Sequence, residues 1–273
     1  MQQDQRQGRE MNWEPAHADH SIDNVQVLFS FSEPIDPDSF DEVIIPLRQA
    51  TSKHNLTNRI EAQEPTPPAI PEKGIAIKIG GPTTRRVIFR RMAENDVVSE
   101  FSLGVRSLKL MTSRYQRWAP FFTVLSDVCH AIDQAWSISS NVKSIRVQYI
   151  DRFVSQPGGA DHFEVLSKAC PSIALPTTDA MAAFHVHTGW FDYDSLPKGR
   201  ILTNINIDAN DIRFSTQPAV RRELLILTLR QIESATNALN DPLNLTDHLH
   251  KELKTLFRQL ISDEAATRIG LTV

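Results

Sequence analysis

The chain has 273 residues, 41% of them hydrophobic and 23% charged, ordinary for a folded protein and long enough for one large core or two small ones. With 29 basic and 33 acidic residues the net charge is −4, which excludes a global field that would gather nucleic acid or anionic lipid but leaves room for a local basic patch. Apolar runs such as residues 224–229 stop far short of the roughly 20 residues a membrane helix needs, and the first ten residues are polar. Two cysteines, Cys129 and Cys170, allow at most one disulfide and suit reduced thiols. The expectation is a cytoplasmic protein without membrane association.

Residues 1–22 show no periodicity that would bury a face and read as a mobile tail. A half-buried strand follows at 25–31, where Val25, Val27, Phe29 and Phe31 alternate with Gln26 and Ser30. Phe40, Val43, Ile44 and Leu47 then fall at helical spacing behind an acidic first turn, with Pro46 expected to kink or restart the helix. Four prolines between 63 and 71 predict an extended connection with little backbone pairing. Strands at 75–79 and 87–90 and a run from 97 to 112, separated by turn residues, predict an antiparallel meander. The change of parity between Val105 and Leu108 places a turn or bulge near 104–107.

Trp118, Phe121, Phe122, Leu125, Val128, Cys129, Ile132 and Trp136 trace a wide apolar helical stripe. A strand at 144–153 puts Ile145, Val147, Tyr149 and Phe153 on one face, and a short helix is expected near 161–168. The second half reads as strands at 181–191, 201–208 and 223–231 and a helix at 246–263. The apolar run 224–229 does not fix its own period and is open to a helical reading. The sum is an α+β fold of antiparallel meandering sheets, each packed by a long helix, in two similar halves, 23–155 and 156–273, packed as one unit.

Four stretches resemble the sporadically distributed bacterial protein family of unknown function. They are Phe29-Ser30-Phe31-Ser32-Glu33-Pro34, the turn and strand at 94–103, Tyr115-Gln116-Arg117-Trp118 at the start of the central helix, and the strand at 145–152. Together they span about residues 25–153, and residues 245–263 resemble the family's last helix more weakly. The family's strand reads closer to Arg-Tyr-Ile-Asn-Arg, from which this chain departs at Gln148 and Asp151. The resemblance implies a fold and a bacterial origin more than an activity. Some members lie near mobile defence genes, so it also points toward a defence or toxin-antitoxin module.

No nucleophile elbow, phosphate loop or dinucleotide fingerprint is present, so neither a catalytic residue nor a cofactor is assigned. His185 and His187 share a strand face and are candidate metal ligands for a hydrolytic or ligand-binding protein, but a third ligand does not follow from the spacing. His248 and His250 diverge on a helix and read as surface or cap residues. Cys129 lies on the apolar stripe and reads as an inert thiol. Arg85, Arg86, Arg90 and Arg91, with Arg106, Lys109, Arg114 and Arg117, form an arginine-rich edge that offers nucleic-acid binding through phosphate contacts. Arg90 and Arg91 differ in strand parity, however, so the cluster splits between faces and a solvated or salt-bridged edge is favoured. Asp151 shares the apolar parity of Tyr149, so it needs a partner such as Arg152 or must titrate high. The absence of a catalytic set, with Trp13, Trp118 and Trp190 as anchors, favours a non-enzymatic interaction protein whose partner is another protein. The candidate contact residues are Trp118, Tyr149, Asp151, Arg152, Arg86 and Arg90.

Overall fold

The computed structural model describes residues 11–65, 83–157, 161–170, 173, 183–193, 199–213, 219–234 and 239–271. The expected strand at 75–79 lies outside them, as does most of the proline-rich connection. The described residues form an α+β structure built on one ten-stranded sheet. Its strands are β1 (Trp13–Pro15), β2 (Ile22–Phe31), β3 (Asn58–Pro65), β4 (Thr83–Ala93), β5 (Asp96–Gly104), β6 (Ser107–Thr112), β7 (Val142–Ser155), β8 (Phe184–Asp192), β9 (Gly199–Arg213) and β10 (Val220–Ser234). The helices are α1 (Pro37–Lys53), α2 (Trp118–Asp133), α3 (Pro242–Leu260) and α4 (Asp263–Arg268).

The strand order is β3-β4-β5-β6-β2-β7-β10-β9-β8, with the short β1 also on β7, and every pairing is antiparallel. The meanders that the sequence suggests as separate sheets are therefore continuous through the β2–β7 pair. Alternation decides which face is buried. Val25, Val27 and Phe29 of β2, Ile145, Val147 and Phe153 of β7, and Leu224 and Ile226 of β10 are all fully shielded. Most residues of opposite parity on these strands, such as Gln26, Leu28, Arg146, Gln148 and Leu225, stay partly exposed. Against the buried face lie α1 packed on α2, and α3 across β7 and β10. Leu125, Val128 and Ile132 of α2 have no exposed surface.

Several expectations change. Residues 11–22 belong to the structure instead of a mobile tail: β1 pairs with β7, and Trp13 is 1% exposed with its indole N–H donating to the Asp161 carbonyl at 3.0 Å. A lone indole without periodic neighbours gives no sequence signal of burial, yet it fills a prepared site. Gln63, Glu64 and Pro65 lie in β3 and not in an unpaired connection. An edge strand tolerates Pro65 because one side of its backbone needs no ladder partner. The first helix runs on through Pro46. Residues 224–229 are strand, since register with both β7 and β9 satisfies their backbone. The expected helix at 161–168 shrinks to a single 3-10 turn, His162–Glu164. The terminal helix starts earlier, at Pro242, and breaks at Ile261, beyond which Ser262 caps α4.

Among the described residues, no helix is long and apolar enough to cross a membrane. Cys129 and Cys170 are free and buried, and burial pushes the Cys129 thiol well up, so it is held as the neutral thiol.

Candidate functional site

The buried face of the sheet is not sealed everywhere. Where β2 begins, beside β7 and β10, a cavity of about 290 Å³ opens between the sheet, the connection leading into α2, helix α3 and the residues after α4. Strand parity aims Tyr149 and Asp151 of β7 into it, and antiparallel register sets Thr228 of β10 directly opposite Tyr149. Ser21 and His20 enter from the turn before β2, Tyr115 and Trp118 from the start of α2, and His250 and Phe257 from α3.

Asp151 is the floor of this cavity. It is 2% exposed, and the Ser21 hydroxyl donates to its Oδ1 at 2.7 Å. Burial pushes its carboxyl up to about 7, with the Ser21 hydrogen bond offsetting only part of the desolvation. The sequence expectation of an arginine partner fails for Arg152, whose parity turns it to the opposite sheet face, where it ion-pairs with Glu223 at 2.7 Å. With Ser21 as its hydrogen-bond donor and no ion-pair partner among the described residues, the buried carboxyl fits the other expectation, a group held above the usual carboxylate range by desolvation.

Above Asp151, aromatic rings form the walls. Tyr115 and Tyr149 meet edge to face at 6.1 Å between centroids. Tyr149 Oη also lies 2.8 Å from His250 Nδ1. Trp118 stacks on the His250 ring at 4.1 Å and 12°, while its indole N–H donates to Asp247 at 2.8 Å, so two helices fix that ring. Burial lowers His250 to about 4, against the opposing pull of Asp247, so the imidazole is neutral near pH 7. Burial likewise raises Tyr115 to about 12 and Tyr149 well above the usual phenol range. His20 is lowered by burial and by neighbouring His17. The Thr228 hydroxyl, in a residue 1% exposed, has no hydrogen-bond partner among the described residues. A buried unsatisfied donor at a cavity wall is costly unless something occupies the space. Arg117 and Lys254 stand exposed at the mouth, with Asp19.

Of the residues singled out from sequence, Trp118, Tyr149 and Asp151 thus converge, whereas Arg152, Arg86 and Arg90 point to the other sheet face. Arg90 and Lys109 both spend their charge on Glu100, at 2.8 and 3.0 Å, and Arg85 pairs with Asp41. Arg91 and Arg114 instead line a second cleft, of about 550 Å³, on the far side of Tyr115, and Arg117 borders both this cleft and the Asp151 cavity. The arginine-rich edge is therefore not one surface. His185 pairs with Asp208 and both it and His187 are exposed on β8. Among the described residues, no three His, Cys, Asp or Glu side chains gather as metal ligands would.

Three residues of the site were not legible as such. His250 reads as a surface residue because it diverges from His248 on the helix, yet Leu253 and Phe257 at i+3 and i+7 share its stripe and were the available clue to burial. Ser21 fell in the supposed tail. Thr228 sits inside a uniformly apolar run, and a single hydroxyl at a buried parity was the available clue. Trp13, expected as a partner anchor, is buried, and of the three named anchors only Trp190 is well exposed, at 39%.

Comparison with protein-family models finds no model that matches the chain, and comparison with curated proteins finds no match.

Proposed function

We propose that this chain is a small-ligand-binding protein, and that the cavity over Asp151 is its binding site. One observation carries the reading: Thr228, unpartnered among the described residues, and Asp151, with a single hydroxyl donor among them, are both almost fully buried yet line the same cavity under aromatic walls. Apolar walls with a few convergent polar groups and strongly shifted acidities are the usual make-up of a ligand site. Two of the four stretches that resemble the bacterial family supply Tyr115, Trp118, Tyr149 and Asp151 to the walls and floor. We also read the chain as two similar halves. About the β2–β7 pair the order runs β6-β5-β4 one way and β10-β9-β8 the other, with α2 following β6 and α3 following β10. This reading puts the seam before β7, and not after residue 155, and the cavity lies at that seam. Equilibrium dialysis against a small-molecule extract, read by mass spectrometry, tests the proposal. Wild type retains a compound that the cavity-filling Thr228→Phe variant, folded by circular dichroism, does not. Equal retention by both removes the site from the cavity.

An interaction or accessory role, as in a defence or toxin-antitoxin module, is favoured by a different feature. The edge strand β8 ends in Trp190 and Phe191, followed by Tyr193, exposed at 39%, 47% and 62%. Aromatic side chains on an open strand edge suit a protein partner. Affinity capture with wild type and with Trp190→Ser/Phe191→Ser tests it: a partner lost on the double change supports this role, and a partner kept opposes it.

A further inference from the structure

We propose that the cavity over Asp151 selects a ligand with a cationic nitrogen at its inner end and an anionic group at its outer end. This rests on the ligand-site reading and names the chemistry of the occupant.

The inner end is set by what surrounds the floor. Asp151 is buried with the Ser21 hydroxyl as its one hydrogen-bond donor, and among the described residues no arginine, lysine or histidine ion-pairs with it. A buried carboxylate in that state lacks a counter-charge, and a ligand ammonium supplies one together with hydrogen bonds that shorten and strengthen when both partners are charged. The walls agree. Tyr115, Tyr149, Trp118 and His250 line the same cavity, the two tyrosine rings at right angles to each other and Trp118 stacked on the neutral His250. An aromatic lining beside a carboxylate favours a cation over an anion. The Thr228 hydroxyl, opposite Tyr149 and diagonal to Asp151 in register, is free to accept from a second N–H.

The outer end is set by the mouth. Arg117 and Lys254 are exposed there against a single carboxylate, Asp19. A purely cationic ligand is repelled on entry, and one with a carboxylate or phosphate at its far end is attracted.

Isothermal titration of the full chain at pH 8, where Asp151 is ionised, tests this with four probes of one skeleton: 6-aminohexanoate, hexylamine, hexanoate and hexan-1-ol. The expected order is 6-aminohexanoate, then hexylamine, with the other two at least about tenfold weaker, since a charge-assisted hydrogen bond is worth that factor or more. Asp151→Asn lowers affinity for both amines about tenfold and leaves hexan-1-ol unchanged, which also reports that the cavity is intact. Arg117→Gln/Lys254→Gln brings 6-aminohexanoate down to the level of hexylamine. Hexanoate or hexan-1-ol binding as tightly as the amines overturns the charge assignment while leaving the ligand site standing, as do amines indifferent to Asp151→Asn. If no probe binds, this inference falls. The dialysis comparison of wild type with Thr228→Phe then decides separately whether the ligand-site reading falls with it.

Discussion

Asp151→Asn should change how stability depends on pH. In the folded protein the carboxyl titrates at about 7, and burial is the main cause. In the unfolded chain it titrates near the ordinary value of 3.8. Between these two values the folded state binds more protons than the unfolded one, so ionisation favours unfolding and the contribution of Asp151 to stability falls as pH rises. Below pH 3.8 both states are protonated and no penalty exists. The penalty grows by about 1.4 kcal/mol per pH unit and levels off above pH 7 at roughly 4 kcal/mol. His250 acts in the opposite sense. Its folded value of about 4 lies below the ordinary 6.5, so its contribution is lost as pH falls from about 6.5 toward 4. In wild type the two slopes offset each other over much of that window. The Asn side chain keeps the acceptor for Ser21 and removes the charge, so the variant shows the His250 slope alone. Urea denaturation at half-unit steps from pH 4 to pH 8 measures it: the variant gains on wild type steadily up to pH 7. A difference between the two proteins that stays flat across that range would refute the reasoning, because it would mean that Asp151 ionises as an ordinary solvated carboxylate.

Other expectations follow from single contacts. Leu125→Ala and Ile132→Ala, both with no exposed surface, should each cost about 2 to 5 kcal/mol in chemical denaturation through lost transfer energy and a residual cavity; a change under about 0.5 kcal/mol would place that face of α2 against solvent. Protonating His250 beneath Trp118 should quench the indole, so tryptophan emission falls as pH drops through about 4. The same fall in a Trp118→Phe variant would assign the quenching elsewhere. Glu100→Gln removes the shared partner of Arg90 and Lys109, and should cost roughly 1 to 3 kcal/mol while raising salt-dependent DNA retention on a filter. Equal retention by wild type would show that the cations are free despite their pairing.

The fold was legible where one face decides everything. The alternation of β2 and the stripe of α2 follow from the need to bury one side, and Asp151 was identifiable because a carboxylate at an apolar parity is costly wherever it occurs. What stayed hidden depends on distant chain segments. That β2 and β7 join two meanders into one sheet is a choice of partner among several compatible strands, and local sequence does not encode it. His250 shares a helical stripe with Leu253 and Phe257, but the ring that covers it is Trp118, 132 residues earlier by number. Residues 11–22 look featureless because they are anchored by individual long-range contacts, such as Trp13 to Asp161 and Ser21 to Asp151, in place of a periodic face.

The four tryptophans provide the most direct test of where this protein binds. Trp118 lines the cavity, Trp13 is buried beneath the sheet's β1 end, Trp136 packs on Phe31, and Trp190 sits on the open edge strand β8. With the indole nitrogens labelled by nitrogen-15, titration of the compound retained in dialysis should move the Trp118 N–H resonance in proportion to occupancy, since that group is already held to Asp247, and leave Trp190 in place. Movement of Trp190 with Trp118 unchanged would contradict the account, and would shift the binding function from the Asp151 cavity to the edge of the sheet.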